Sequence, residues 1–192
     1  YKDVDYVLRS PKALFGMSSN LIPFLQNNQG VRAMTASRQQ EQAVPLVDRE
    51  APLVQVKTES GRTFEQTLGR FNAHHAPTAG KVIEIKPDAV IIRGKDRKKH
   101  EVQLYDHFPL NEASSVLHSN PVVKVGDEVK SGQLVADSNF TKGGTLALGK
   151  NLRVAYLPYK GYNFEDGIVV SETGAKKLTS QHMHRKHLAI SK

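Results

Sequence analysis

Short runs of β-branched and aliphatic residues, each closed by a turn former, set the pattern of the middle of the chain. Residues 53–57, 81–85, 89–92 and 101–104 are such runs, punctuated by Ser60-Gly61, Ala79-Gly80, Lys86-Pro87-Asp88 and Gly94. Apolar runs of this length bounded by Gly and Pro predict strands. The runs 81–85 and 89–92 flank Lys86-Pro87-Asp88 and predict a hairpin, and Lys95-Asp96-Arg97-Lys98-Lys99-His100 reads as a basic loop tip. Residues 105–120 are irregular and polar. Beyond them, alternating valines over 121–136, broken at Gly126-Asp127 and Ser131-Gly132, predict closely turned strands of a barrel or sandwich. Residues 152–157 and 168–171 predict two further strands, with Glu165 and Asp166 projecting from the connection between them.

Helical signals are fewer. Ser10-Pro11 is a helix-start signal, Ser18-Ser19-Asn20 can cap or turn, and Leu21-Ile22-Pro23-Phe24-Leu25 is an apolar patch bent at Pro23. Asn27-Asn28 can cap a helix over 29–43 that Pro45 ends. Val31, Ala33 and Met34 give it a thin apolar stripe. Arg32, Thr35, Gln39 and Gln42 fall at i, i+3, i+7 and i+10, which places four polar side chains on one face. An Arg beside amides can hold a phosphate by a charge-assisted fork and reach sugar or base edges; an ordinary solvated face has the same pattern. Ser171-Glu172-Thr173 opens a short helix to about residue 178.

Composition narrows the classes. At 192 residues, with 39% hydrophobic and 24% charged residues, the chain can bury a core as one domain or two small ones. No apolar run reaches the roughly 20 residues of a membrane span. Without cysteine there is no disulfide framework, thiolate nucleophile or Cys-type zinc site. The start, Tyr1-Lys2-Asp3-Val4-Asp5, carries neither an initiator Met nor a signal peptide and reads as the interior of a longer polypeptide. A net charge of +8 points to a polyanionic partner, most simply nucleic acid.

Three stretches carry candidate chemistry. Glu165-Asp166, between an aromatic and an apolar run, makes a hard-oxygen site suited to Mg²⁺, although a solvated turn has the same residues. Gly143-Gly144 can bring backbone N–H groups to an anion but lacks the Gly-Lys-Ser/Thr ending of a P-loop. His182, His184 and His187 have neither carboxylate nor cysteine near them in sequence, and a solvated basic segment describes them better than a zinc site.

Two separated blocks together resemble the β subunit (second-largest subunit) of multisubunit DNA-directed RNA polymerases. The first comprises Leu21-Ile22-Pro23-Phe24-Leu25, Val31-Arg32-Ala33-Met34 and Gln40-Glu41-Gln42-Ala43-Val44-Pro45. The second runs from Leu148-Gly149-Lys150-Asn151 through Ala155-Tyr156-Leu157-Pro158 into Gly161-Tyr162-Asn163-Phe164-Glu165-Asp166. The resemblance implies a mainly β fold with a few short helices: part of a double-psi β-barrel plus a barrel-sandwich hybrid insertion. It divides the chain into a helical entry segment (1–50), a barrel-sandwich-like β insertion (51–147) and double-psi barrel strands with the Asn-Phe-Glu-Asp loop (148–192).

The same resemblance implies roles. The three aspartates that bind the first catalytic Mg²⁺ belong to a sister barrel on the largest (β′-type) subunit, so this chain alone is inactive. Asp166 with Glu165 would hold the second Mg²⁺, through water. Arg32 would reach the nucleoside triphosphate, and Gln42 with Arg38, Thr35 and Gln39 would line the nascent RNA near its 3′ end. Implied partners are the largest subunit, the rest of the β chain, the DNA template, nascent RNA and NTPs, with no membrane, in the cytoplasm of a bacterium or a phage-infected bacterium. Departures from the pattern include Glu41 where bacterial members carry a basic residue, Arg38 where they carry Asn, and Tyr159-Lys160 for Trp-Asn. They suit a divergent, phage-like member, here as a fragment or a split piece. Two other readings stay open: a biotinyl- or lipoyl-type carrier module with Lys86 at the hairpin tip, and a noncatalytic basic RNA-binding β-domain.

Overall fold

In chain order, the computed structural model, which describes residues 3–8, 11–110, 115–186 and 188–190, runs from helices to strands and back to one helix. Ser10 and His187, named above, lie outside the described residues. The helices α1 (Met17–Asn20), α2 (Gly30–Glu41) and α3 (Phe64–Asn72) precede the strands, and α4 (Glu172–Lys177) follows them. The strands are β1 (His74–His75), β2 (Gly80–Ile85), β3 (Ala89–Gly94), β4 (Lys99–Gln103), β5 (Phe108–Pro109) and β6 (Val116–Leu117), then β7 (Ser119–Pro121), β8 (Glu128–Val129), β9 (Leu134–Ser138), β10 (Thr141–Lys142) and β11 (Thr145–Leu146). The architecture is mainly β with a few short helices.

The largest sheet has the order β4-β3-β2-β8 and is antiparallel throughout. Its centre is β3, where Ala89, Val90, Ile91 and Ile92 are all buried, because both faces and both edges of this strand are covered. The β2–β3 turn closes with the Lys86 N–H donating to the Ala89 carbonyl at 2.7 Å, with Pro87-Asp88 between them. At the sheet's far end Gly80 pairs with Gly94, and a Cβ on Gly80 would stand 2.2 Å from the Arg93 carbonyl oxygen. A second sheet, β1-β9-β7, lies against the first. Val82, Val90, Ile92, Val102, Val129, Val135 and Ala136 form the shared core. Each fully buried aliphatic side chain there contributes about 1.5–3 kcal/mol by leaving water.

Helix α2 covers most of the span expected from sequence, but its cap and buried face differ. Gln29 is the N-cap and provides no side-chain bond, while Asn28 turns back to donate to the Phe24 carbonyl at 2.9 Å. Val31 and Met34 are exposed. The inward face is made of small groups, with Ser37 buried and its hydroxyl 2.8 Å from that of Ser19 on α1. Small residues let two short helices approach closely, which the larger Val31 and Met34 would prevent.

Three expected strands do not form. Residues 53–57 instead lead into α3: the Val56 N–H donates to both oxygens of Glu65, at 3.1 and 3.0 Å, and Lys57 makes an isolated bridge with Thr63. The start of α3 is fixed by a capping box in which Thr63 and Gln66 satisfy each other's backbone N–H groups. Glu65, 2% exposed, sits in its first turn, where the helix dipole favours an anion. Residues 152–157 and 168–171 are not strands either. Leu152, Val154, Tyr156, Ile168, Val169 and Val170 are all exposed, and among the described residues no sheet edge lies beside them to complete a ladder.

A seam through residues 45–51 joins three distant parts of the chain. The Val47 N–H donates to the Thr179 carbonyl (2.9 Å), the Gln181 N–H to the Pro45 carbonyl (2.8 Å) and the Glu50 N–H to the Gly149 carbonyl (2.8 Å). Arg49 donates from Nε to the Thr141 carbonyl (2.7 Å) and from Nη2 to the Ser138 carbonyl (2.6 Å). At the centre, the Lys150 side chain, 8% exposed, places its Nζ 2.5 Å from Asp48 Oδ2 and 2.6 Å from Glu50 Oε1. Asn151 adds its backbone and side-chain N–H groups to Glu50 Oε2 at 3.2 and 3.0 Å.

Two outcomes are expected from this arrangement. Gly69→Ala should destabilise the fold by about 1–3 kcal/mol in denaturant titration, although Ala favours helix, because the new Cβ would stand 2.3 Å from the Gly144 carbonyl oxygen. Hydrogen bonds from Lys150 hold both Asp48 and Glu50 below their ordinary values of 3.8 and 4.5, with Asn151 adding to the effect on Glu50. Their stabilisation is therefore present above those values and lost as pH falls through the lower folded-state values. Unfolding midpoints measured against pH should drop in that acidic window, and the drop should shrink in Lys150→Met.

Candidate functional site

The carboxylates Glu165 and Asp166 stand on a loop shaped by its own backbone. The Tyr162, Phe164 and Gly167 N–H groups donate to the carbonyls of Tyr159, Gly161 and Phe164 at 2.9, 3.2 and 3.2 Å, three successive tight turns. Asn163 folds back onto the arm that leads into the loop: its Oδ1 accepts from the Tyr159 N–H (2.8 Å) and its Nδ2 donates to the Leu157 carbonyl (2.6 Å). Lys160 and Glu165 have positive φ, 52° and 54°, an uncommon state for residues with a Cβ and a recurrent one where side chains are aimed for a purpose. Gly167 is needed behind them, since a Cβ there would meet the Tyr162 carbonyl oxygen at 2.9 Å.

Both carboxylates are exposed, and among the described residues neither forms an ion pair or a side-chain hydrogen bond. The nearby cation Lys160 instead lies 5.8 Å from the centre of the Tyr159 ring. Two adjacent, unpaired carboxylates can offer hard oxygens to Mg²⁺, but they fall short of the six ligands such an ion takes. They suit an ion that brings its other ligands with it.

The second group of expected residues lies on α2. Arg32, Thr35, Arg38 and Gln39 are exposed along the helix, and Gln42 is its exposed C-cap. Thr35 Oγ1 donates to the Val31 carbonyl at 3.0 Å, which leaves its lone pairs facing outward. Arg38 Nη1 pairs with Glu41 Oε2 at 3.1 Å, and Glu41 also accepts from the Ser18 hydroxyl at 3.0 Å. The helix thus gathers Arg32, Thr35, Arg38, Gln39 and Gln42 on one connected surface. Among the described residues no hydrogen bond or ion pair links that surface to Glu165 or Asp166.

The Gly143-Gly144 loop does hold an anion, and the anion is the chain's own. Asp137 Oδ2 accepts from the Gly143 N–H (2.7 Å), and its Oδ1 from the Gly144 N–H (2.8 Å) and Thr141 Oγ1 (2.9 Å). With its donors consumed internally, this loop is structural. A cluster absent from the sequence reading lies at the open end of the β5–β6 hairpin, where Asp106, His107 and His118 converge. Burial holds the His118 imidazole below its ordinary value, His107 adds to this and Asp106 opposes it. The two histidines are distant in sequence and meet only through the β5–β6 register, so no spacing signal announces them.

Comparison with known proteins bears on both surfaces. The family described as RNA polymerase Rpb2, domain 6, matches residues 75–192. Among curated proteins, the DNA-directed RNA polymerase subunit beta of Anaplasma marginale (strain Florida) is 40% identical over 189 residues, covering 95% of this chain and 13% of that protein. The subunit of the same name from Mesomycoplasma hyopneumoniae (strain 7448) is 38% identical over 189 residues, covering 96% and 15%. That of Fusobacterium nucleatum subsp. nucleatum is 37% identical over 171 residues, covering 88% and 14%. The chain therefore spans about 15% or less of the length of these relatives. With the family match running through Asn163, Glu165 and Asp166, and the likeness to the β subunits extending across α2 as well, this chain belongs to the RNA polymerase Rpb2 domain 6 family and corresponds to part of a β subunit.

Proposed function

We propose that this chain contributes the β-side surface of the active centre of a multisubunit DNA-directed RNA polymerase, a nucleotidyltransferase acting in transcription. The observation that carries the reading is the Glu165-Asp166 pair: exposed and unpartnered on a backbone-knitted loop, within the family-matched segment. Asn163 fixes the approach to the pair through Leu157 and Tyr159, and Glu165 itself stands at a φ of 54°.

In this reading the carboxylates act on an Mg²⁺ ion that enters with the nucleoside triphosphate, through water, and the remaining active-centre ligands come from the largest subunit. Divalent ions in such sites stabilise the attacking and leaving oxygens of an in-line displacement. Arg32 binds the triphosphate and neutralises charge on the departing pyrophosphate. Thr35, Arg38, Gln39 and Gln42 line the nascent RNA near its 3′ end. The Arg38–Glu41 pair is fully at the surface, where such pairs are worth little, so Arg38 can exchange Glu41 for an RNA phosphate at small cost.

The exposed apolar segments 152–157 and 168–171 belong to the same reading. They take up strand pairing within a double-psi barrel completed by the rest of the β chain, while residues 51–147, with β2–β4 and β7–β9 among their strands, constitute the barrel-sandwich insertion. The working complex comprises the largest subunit, the remaining β polypeptide, template DNA, nascent RNA and NTPs, in the cytoplasm.

In the complete polymerase, Asp166→Ala should slow nucleotide addition by about 10- to 100-fold, as expected for a group acting on a metal through water, with assembly intact. Unchanged elongation kinetics would remove Asp166 from the site. Arg32→Ala should raise the apparent KM for NTPs by about tenfold, the scale of one lost charged hydrogen bond, and an unchanged KM would end its assignment.

A further inference from the structure

We infer that Asp106, His107 and His118 form a binding site for a divalent transition-metal ion of the zinc or nickel class, separate from the hard-oxygen pair at Glu165-Asp166. The strand register brings the ligands together. Phe108 pairs with Leu117 across β5–β6, so His107 and His118 are the next facing positions along the same hairpin. Their rings stack with centroids 4.1 Å apart, so one imidazole rotates about its side-chain bonds to bring both Nδ1 atoms onto a shared ion. Asp106 Oδ1 lies 2.6 Å from His107 Nδ1 and 3.5 Å from His118 Nδ1. All three ligand atoms fall within 4.8 Å of one another. Zinc bonds of about 2.0–2.1 Å set an edge of roughly 3.3 Å between ligand atoms in a tetrahedron, a value these two separations bracket.

The scaffold beneath the cluster is built. The His118 N–H donates to Asn139 Oδ1 at 3.0 Å, the Asn139 N–H donates to the His118 carbonyl at 2.9 Å, and Asn139 Nδ2 reaches the Val116 carbonyl at 2.6 Å. Asn139 is buried, so the backbone of His118 is clamped to the core from both sides. On the other arm, His107 holds a positive φ of 49°, which turns its ring back over His118 in place of continuing the strand. The His107 Nδ1–H donates to Asp106 Oδ1 at 2.6 Å, a proton that an incoming ion displaces, and the His107 backbone N–H approaches His118 Nδ1 at 3.4 Å. That contact is long, and an ion replaces it at small cost.

Two imidazoles and one carboxylate on an exposed rim leave a coordination position for water or an outside ligand. Imidazole selects zinc, nickel and copper over magnesium, which sets the chemistry apart from the polymerase reading. The site does not depend on that reading, and a failure of either leaves the other standing.

The test is calorimetric titration of the 192-residue chain with Zn²⁺ and with Ni²⁺ in millimolar Mg²⁺. One ion per chain is expected to bind, with a matching rise in unfolding temperature. His107→Asn, in which Asn tolerates the positive φ, and His118→Asn should each weaken binding by at least about tenfold. Asp106→Asn gives the same reading should a histidine variant fail to fold, because its carboxylate meets only His107 and His118 among the described residues. His182→Ala/His184→Ala should retain the parent affinity. Parent-like binding in the Asp106, His107 and His118 variants, loss of binding in the His182/His184 variant, or no saturable site in the parent would each overturn the proposal.

Discussion

The ammonium of Lys150 held between Asp48 and Glu50 is the interaction on which the arrangement of the chain depends. Its two acids follow α2, and it precedes the segment that carries Glu165 and Asp166. Isolated surface ion pairs contribute little because water screens them and both side chains lose freedom. Here the cation is withdrawn from solvent and both carboxylates accept further bonds, from Lys142 to Asp48 and from Asn151 to Glu50. Removing Lys150 would leave two like charges facing each other, while removing one acid leaves the other in place. The asymmetry makes the lysine the keystone of the seam, and the backbone bonds of Val47, Glu50 and Gln181 give it direction.

This seam also explains how a short helix with no capping side chain keeps a defined place. α2 meets α1 through the buried Ser37 and the exposed Ser18–Glu41 hydrogen bond, so its own burial supplies little stabilisation. Its C-terminal exit is what is fastened, through buried Pro45 and Leu46 and the bridge from Leu46 to Ser180. The exposed face is thus free of structural duty and can be spent on recognition. The same division recurs at the 158–167 loop, where Asn163 and the backbone do the holding and the two carboxylates hold nothing. Side chains released from packing on an otherwise constrained frame are what a binding surface requires.

Legibility in the sequence followed the range of the interactions. The β2–β3 hairpin was readable because its signal is local: two aliphatic runs around Lys86-Pro87-Asp88 suffice. The Asn-Phe-Glu-Asp loop was readable by resemblance, and the α2 polar stripe by helical spacing. α3 was missed even though Thr63 and Gln66 form its capping box, because Gly69 and the β-like run before it obscured the helical period. Gly69 is there for the close approach of β11, a tertiary reason that no local pattern shows. The Lys150 seam, the Asp137 loop and the Asp106–His107–His118 cluster join residues across many intervening positions, so nothing in their sequence neighbourhoods marks them.

Of the three expected strands that do not form, 152–157 and 168–171 are the more instructive. Residues 152–157 and 168–171 have the composition of strands, and their side chains are as apolar as those of β3. Strand propensity expresses how well a side chain fits a pleated, half-buried surface, so it has effect only where a neighbouring strand supplies that surface. β3 has β2 on one edge and β4 on the other; residues 152–157 have neither among the described residues. An exposed apolar segment with unpaired backbone is a template for pairing, and natural proteins normally cover such edges. The chain spans about 15% or less of its relatives' length, and in the proposed reading the remaining β polypeptide supplies those edges. The loop of Asn163, Glu165 and Asp166 is thus shaped by its own turns and by Asn163, with no paired strand on either side of it.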